Sequence, residues 1–544
     1  MRAIAIAFCW VLATSLAAAQ GATTVAPDAI FYNGKIVTVD GTFSIRQAFA
    51  VRGDSYVAVG TNAAVRALAG RNTRLVDLQG ATVVPGLSDN HDHLYNSGRY
   101  LRGIDLVGAT STADVVQRLR AGMGRFKAGE TVYGSMGWRA PLARADLDQI
   151  STTVPIVALR GRRGEAVMNT AALAKAGITT ATKDFMGAAL ARDANGELTG
   201  VTPAFPQGLY LVDRVVPVPT AAEEEQLLVA GQQQRLAMGI TSIRELSDWP
   251  PAFRAFQRLR QAGKLQLRVA IGLEDPDAQH PGQFLSQQAM NSDFGDKWLR
   301  VHTQGEEPWP PAALTAAQYT EFAREMNRLG WRPSPHVGNN ETLDIVLDAW
   351  EAADRDQSIK SRRWVIEHAP NATPAEIRRM AALGVIVSTN MVGYANDYPA
   401  AVKTLGQQEA DRQTPVREFI DAKVMVLNGS DYNGPNPDTA TSNNPWIPLY
   451  YYVTRKSKDG KSVVGAHERI SREEALRIAT INNAYATFEE DVKGSIEAGK
   501  LADFLVLSAD FMTVPEEQIL TMRPLATYVG GKKVFGAADA QGRF

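Results

Sequence analysis

Hydrophobic and polar positions divide the chain into three textures. Residues 28–82 carry short β-rich runs, "AIFYNGKIVTVDG" and "AFAVRGDSYVAVG", closed by Asn-Gly, Asp-Gly and Gly-Asp turn signals. "TNAAVRALAG" has helical spacing and ends at Gly70, and "TRLVDLQGATVVPGL" returns to strand character. The far C-terminus repeats this texture: "ADFLVLSADF" and "LATYVGGKKVFG" read as strands around "PEEQILTM". Neither end holds enough strands for an independent domain. The two ends are therefore expected to pair into one small composite β-domain, with the middle of the chain inserted between them.

The middle alternates. Short apolar runs ("GITSIREL", "LQLRVAIGL", "KWLRVHTQG", "WRPSPHVG", "RRWVIEHAP", "GVIVSTN", "KVMVLNGSD") are separated by amphipathic stretches such as "TAAQYTEFAREMNRLG", "NETLDIVLDAWEAADR" and "TPAEIRRMAALG". Strand-helix repetition implies parallel strands with crossover helices. With "ATVVPGLSDNHDH" as the first strand the total is about eight, which predicts an α/β fold, a (β/α)8 TIM-like barrel. The expected bounds are 20–82 and 485–544 for the two parts of the β-domain and 83–484 for the barrel, with 99–235 inserted after the first barrel strand. "SREEALRIATINNAYATF" reads as a late helix, opened by a capping box of Ser471 and Glu474.

Composition narrows the chemistry. The 544 residues are 45% hydrophobic, and 57 basic against 58 acidic residues give a net charge of −1. No basic excess points to nucleic acid or anionic lipid. Residues 1–19 have the form of an export signal: Arg2, an apolar core, and small residues at Ala17 and Ala19. A periplasmic or secreted protein is expected, without membrane attachment after cleavage. The single cysteine, Cys9, lies inside that signal. Thiolate ligands and a cysteine nucleophile are thereby excluded, so a metal would be held by His, Asp, Glu or a modified Lys.

The polar residues fall at matching places. His91 and His93 follow the first strand, two apart, so in extended chain they face one way. His336 ends the fifth strand, His368 the sixth and Asp431 the eighth. Sites on such barrels lie at the C-terminal ends of the strands, so these five are expected to converge. Taken singly, His336 reads equally as a strand-end histidine, His368 as a core histidine and Asp431 as a turn residue. Asp92 faces away from the two histidines and reads as structural. His302 lies within the fourth strand, where a shift of one residue reverses its facing. His280 and His467 lie in or near loops.

These stretches resemble a known family. "VVPGLSDNHDH", "HVGNNETLDIVLDAWE", "IEHA", "NGSD" and "GSIEAGKLADFLVL" look like the metal-dependent amidohydrolase superfamily. More narrowly they resemble its YtcJ-like or amidohydrolase 3 branch, which includes N-substituted formamide deformylases. "YGSMGW", "RADLD" and "MNTAALAKAGIT" fit that branch's insertion, and the resemblance runs from about Ala29 to Gly536. It implies a divalent metal, usually zinc, one or two ions, held by His91, His93, His336, His368 and Asp431, with Asp431 also the proton shuttle. Three positions depart. The fourth strand lacks the usual bridging lysine: Lys297 precedes it, and Glu306 or Glu307 is available instead. Asn340 stands where Asp is usual, and Glu165 where the insertion usually has His.

The resemblance implies hydrolysis of a non-peptide C–N bond, amide-like or cyclic amide, in a small molecule. Asp431 and His368 are the expected catalytic residues, with Trp138, Arg139 and Glu165 as candidate substrate contacts, Arg160, Arg162 and Arg163 nearby, and "NPWIPLYYYVTR" as a candidate aromatic wall. Deamination, ester or lactone hydrolysis, and a non-catalytic periplasmic binding protein are the alternatives. Oligomeric state stays open.

Overall fold

The computed structural model describes residues 25–95, 97, 103–135, 137–160, 165–203, 207–247, 250–273, 292–306, 310–311, 314–390, 398–432, 444–457 and 460–544. The expected signal at 1–19, and Arg162, Arg163, His280 and Glu307, lie outside them.

Both ends of the chain contribute to one six-stranded sheet. Its spatial order is Lys532–Gly536, Pro524–Val529, Phe504–Leu507, Thr82–Pro85, Lys35–Val37 and Ile45–Arg46. The join is the antiparallel pairing of Phe504–Leu507 with Thr82–Pro85. A second, four-stranded sheet holds Ser55–Gly60, Ala48–Arg52, Ala29–Tyr32 and Arg74–Asp77. The two are cemented by rings: Phe31, Phe49, Phe504 and Tyr528 pack with centroids 4.4–5.2 Å apart. The helix expected over "TNAAVRALAG" is short, Asn62–Arg66, capped by the Thr61 side chain.

Eight parallel strands carry the middle of the chain. They are β1 Leu87–Asp92, β2 Ile240–Ser247, β3 Arg268–Leu273, β4 Leu299–Gln304, β5 His336–Val337, β6 Val365–His368, β7 Ile386–Thr389 and β8 Met425–Asn428. They form two four-stranded sheets, ordered β4-β3-β2-β1 and β5-β6-β7-β8. The sheets meet where Asp92 bridges Tyr432, and where Gln304 N–H donates to the Arg332 carbonyl at 3.0 Å. β5 has two residues because Pro333 and Pro335 remove the donors a longer strand needs.

Helices α1 Ala221–Met238, α2 Pro250–Gln261, α3 Ala316–Leu329, α4 Asn340–Asp356, α5 Pro374–Leu383, α6 Val416–Asp421, α7 Trp446–Thr454 and α8 Arg472–Ala479 intervene. Their ends follow from local chemistry. Thr220, Thr315, Thr373 and Ser471 open capping boxes, and Gly239, Gly330 and Gly384 close three helices with left-handed backbone. The late helix expected through "NNAYATF" breaks at Thr480 and restarts as Ile481–Ala486.

Two expected boundaries shift. "ATVVPGLSDNHDH" is not one strand: Thr82–Pro85 stays in the terminal sheet and β1 begins at Leu87. Gly86 makes the change possible, because a Cβ there would lie 2.1 Å from the Thr241 hydroxyl oxygen. The segment 99–235 also ends its separate packing early. Val132–Gly134, Ile156–Leu159 and Ala166–Met168 form a three-stranded sheet with cores of its own, whereas Leu228 and Leu236 of α1 pack into the core around the parallel strands. No described helix is long and apolar enough to cross a membrane.

Replacing Gly86 by Ala forces this contact apart. The expected loss is about 1–3 kcal/mol of stability, typical of overpacking, read by denaturant unfolding.

Candidate metal centre

The five predicted residues meet. His91 Nε2 lies 3.2 Å from His93 Nε2 and 3.5 Å from an Asp431 oxygen, which is 3.2 Å from His93 Nε2. His368 Nε2 lies 3.0 Å from His336 Nδ1. Glu306 stands between the two groups. One of its oxygens is 2.9 Å from His336, 3.1 Å from His368 and 3.6 Å from His91; the other is 3.7 Å from His93. The anticipated substitute for the absent lysine is thus in the cluster, two residues beyond β4. Lys297 is elsewhere, paired with Asp54 of the terminal sheets.

The backbone delivers these groups by close approach and by turning the chain over. At the end of β8, Asp431 N–H donates to the His91 carbonyl at 2.7 Å and Ser430 N–H to Asp89 at 2.9 Å. Gly429 permits this, since a Cβ there would sit 2.3 Å from that of His91. His368, Ala369 and Asp431 have φ of 69°, 45° and 51°, backbone that costs about 1–3 kcal/mol each outside glycine. The reversal at His368 explains how neighbours on one strand, Glu367 and His368, both reach the centre.

Partners behind the rings fix their tautomers. His91 Nδ1 is 2.7 Å from Glu367, a carboxylate that only accepts, so Nδ1 carries a proton and, in the neutral ring, Nε2 turns a lone pair inward. The Asn390 amide donates its N–H to the Gly429 carbonyl at 3.1 Å, leaving its oxygen to accept from His368 Nδ1 at 2.6 Å. The lone pair of His368 Nε2 therefore also faces Glu306.

Electrostatics show how strongly the cluster draws positive charge. Burial disfavours a charged His91, but Glu306, Glu367 and Asp431 outweigh it and hold its pKa well above the ordinary value. Burial likewise opposes ionisation of Glu306, but His91 and His336 hold its pKa well below the carboxylate range. The donor set demands positive charge. The ligand atoms of His91, Glu306 and His368 lie within 4.8 Å of one another, as do those of His91, His93 and Asp431. Imidazole and carboxylate donors in such a cage suit a divalent cation, zinc among them.

Trp138 is 3% exposed in the core of the inserted segment, its indole N–H donating to the Leu159 carbonyl at 2.6 Å, with Arg160 over its ring. A β-rich segment without a share in the main core needs such a ring to build its own. Arg139 and Glu165 are exposed on the same segment; Arg139 N–H donates to the Ala109 carbonyl and the Glu165 carbonyl accepts from Arg160 N–H. The aromatic run around Tyr450, Tyr451 and Tyr452 is buried in α7, with the Tyr452 hydroxyl 2.7 Å from Thr389. Asp92 is structural as expected, in a bidentate pair with Arg235 at 2.6 and 3.0 Å. Asn340 has a physical reason: its amide donates to Glu376 and the Asn371 carbonyl, and an aspartate there would face the Glu376 carboxylate. Glu367, Arg244 and Asn390 were missed in the sequence, although Glu367 stands beside His368.

His302 is turned away from the cluster, 3.1 Å from both Asp293 and Arg332. Burial and the Arg332 charge push its pKa down to about 3. The unfolded chain therefore binds a proton that the folded chain refuses between about pH 6.5 and 3, so stability rises with pH there, by up to about 1.4 kcal/mol per unit. His302→Gln is expected to flatten that slope, as measured by unfolding at several pH values.

Comparison with known proteins places these features. The sequence profile of the amidohydrolase family matches residues 74–535. The chain is 25% identical to Protein LONG AFTER FAR-RED 3 of Arabidopsis thaliana, over 93% of this chain and 91% of that one. It is 26% identical to the N-substituted formamide deformylase of Arthrobacter pascens, over 93% and 97%. An uncharacterized metal-dependent hydrolase from Pyrococcus furiosus superposes with a TM-score of 0.69 at 22% identity, covering 89% of this chain and all of that one.

Proposed function

The chain belongs to the amidohydrolase family of enzymes, and on that premise we propose that it cleaves a non-peptide C–N bond, amide-like or cyclic amide, in a small molecule. The observation that carries this reading is the inward-facing imidazole nitrogens of His91, His93, His336 and His368 around Glu306 and Asp431. The likeness to a formamide deformylase supports the amide class of substrate.

In this reading His91, His93, His336, His368 and Asp431 would hold one or two divalent ions, zinc by donor preference, with Glu306 as a further carboxylate donor in place of the family's lysine. The ion supplies Lewis acidity toward water and toward a substrate carbonyl. The chain's own residues do the rest. Asp431 and His336 are the partly exposed members, with side chains 26% and 28% open, so water and substrate enter on their side. Asp431 takes a proton from water and returns it to the departing nitrogen, first base and then acid. His368, held in the Nδ1–H tautomer by Asn390, keeps its Nε2 lone pair turned inward as a ligand atom. The two parallel sheets are read as halves of a (β/α)8 barrel. The sheets built from both termini are read as a composite β-domain, and the N-terminal residues as an export signal.

The test is to purify the mature protein, measure its metal content and screen amides and cyclic amides with and without chelator. Activity is expected to require the metal. Asp431→Asn is expected to lower kcat by about 10²–10⁴-fold in the metal-replete protein. Turnover indifferent to both chelation and Asp431→Asn would overturn the proposal.

A further inference from the structure

Behind His91 lies a polar network with no opening to solvent. Glu367 and Arg244 are 0% and 1% exposed and paired. One Glu367 oxygen accepts from His91 Nδ1 at 2.7 Å; the other accepts from both Arg244 and the Ser334 hydroxyl. Arg244 is itself fixed, donating to the Asn90 carbonyl at 2.8 Å, to the Asn90 side chain at 3.0 Å and to Ser334 Oγ at 2.8 Å. Residues of β1, β2, β6 and the segment before β5 are thus tied to one carboxylate. His368, by contrast, is backed by the neutral amide of Asn390.

We infer that Glu367 is a positioning residue. It holds His91 in the Nδ1–H tautomer, and its charge makes the inward Nε2 a stronger donor to the cation than the amide-backed Nε2 of His368. The physical basis is general: an imidazole donating to a carboxylate gains electron density at its other nitrogen, and loss of such a partner typically weakens metal binding 10–100-fold. Arg244 and Ser334 serve the same end. Three strands and the segment before β5 would not need to converge on a side chain that merely filled space. A buried ion pair with no further role could be exchanged, both partners together, for apolar groups at little cost.

This inference rests on the metal-centre reading, and the experiment separates the two. Zinc affinity is measured by chelator competition on the full chain, and the visible spectrum is recorded with cobalt(II) in zinc's place, for the wild type, Glu367→Gln and Ser334→Ala. The wild type is expected to bind tightly. Glu367→Gln should bind zinc about 10–100-fold more weakly, with displaced cobalt bands. Ser334→Ala leaves both charges in place, and should show a smaller loss in the same direction. It carries the test if Glu367→Gln fails to fold. A wild type that takes up neither ion sinks the metal-centre reading and this inference with it. A folded Glu367→Gln with wild-type affinity and an unshifted cobalt spectrum overturns the inference alone. If Glu367→Gln does not fold, wild-type behaviour of Ser334→Ala does the same.

Discussion

The site is organised around one imidazole. His91 offers Nδ1 to Glu367, turns Nε2 toward His93, Glu306 and Asp431, and lends its carbonyl to the Asp431 N–H. Through those contacts β1 is joined to β6, to the end of β4 and to the end of β8. A ring that is fully buried and has both nitrogens engaged has no freedom to adopt a second rotamer. The position of every other residue in the cluster is therefore referred to it.

Holding so many ionisable groups in a dry interior requires matched charge. Three arginines meet that need around the parallel strands: Arg244 against Glu367, Arg235 against Asp92 and Arg268 against Asp503. Each is at most 1% exposed, and each guanidinium supplies the counter-charge to a buried carboxylate. Arg268 has a second effect, because Asp503 belongs to the turn before Phe504–Leu507 and also accepts from Gly530 N–H. The parallel strands and the sheet drawn from the chain's two ends are thereby fastened to one another. Glu306 and Asp431 stand apart from these pairs and face the gathered imidazoles.

Some of the chain's left-handed backbone falls at the cluster. The left-handed backbone at His368 and Asp431 swings their side chains toward the cluster, against the alternation an ideal strand would impose. Gly429 and Gly86 allow close approaches that any side chain would block, one against His91 and the other against Thr241. The inserted segment contributes differently: its aromatic anchor, Trp138, is used up in making a core of its own.

The sequence determined the elements and which histidines and aspartate cluster. Periodicity marked the parallel strands because they are apolar runs bounded by helix-ending glycines, and placement at successive strand ends marked His91, His93, His336, His368 and Asp431. It also marked Asp92 as structural, since alternation turns it from its neighbours. Tertiary structure decided what periodicity does not encode. Glu306 lies past its strand, so no strand-end rule selects it, and it enters the centre only because the chain turns there. Glu367 adjoins His368 and should face the other way; the reversal at His368 brings both to one place. Arg244, Ser334 and Asn390 come from separate strands and loops, and their hydrogen bonds exist only after those elements pack. A side chain's chemistry is local, but the partner that sets its tautomer or neutralises its charge is assigned by the fold.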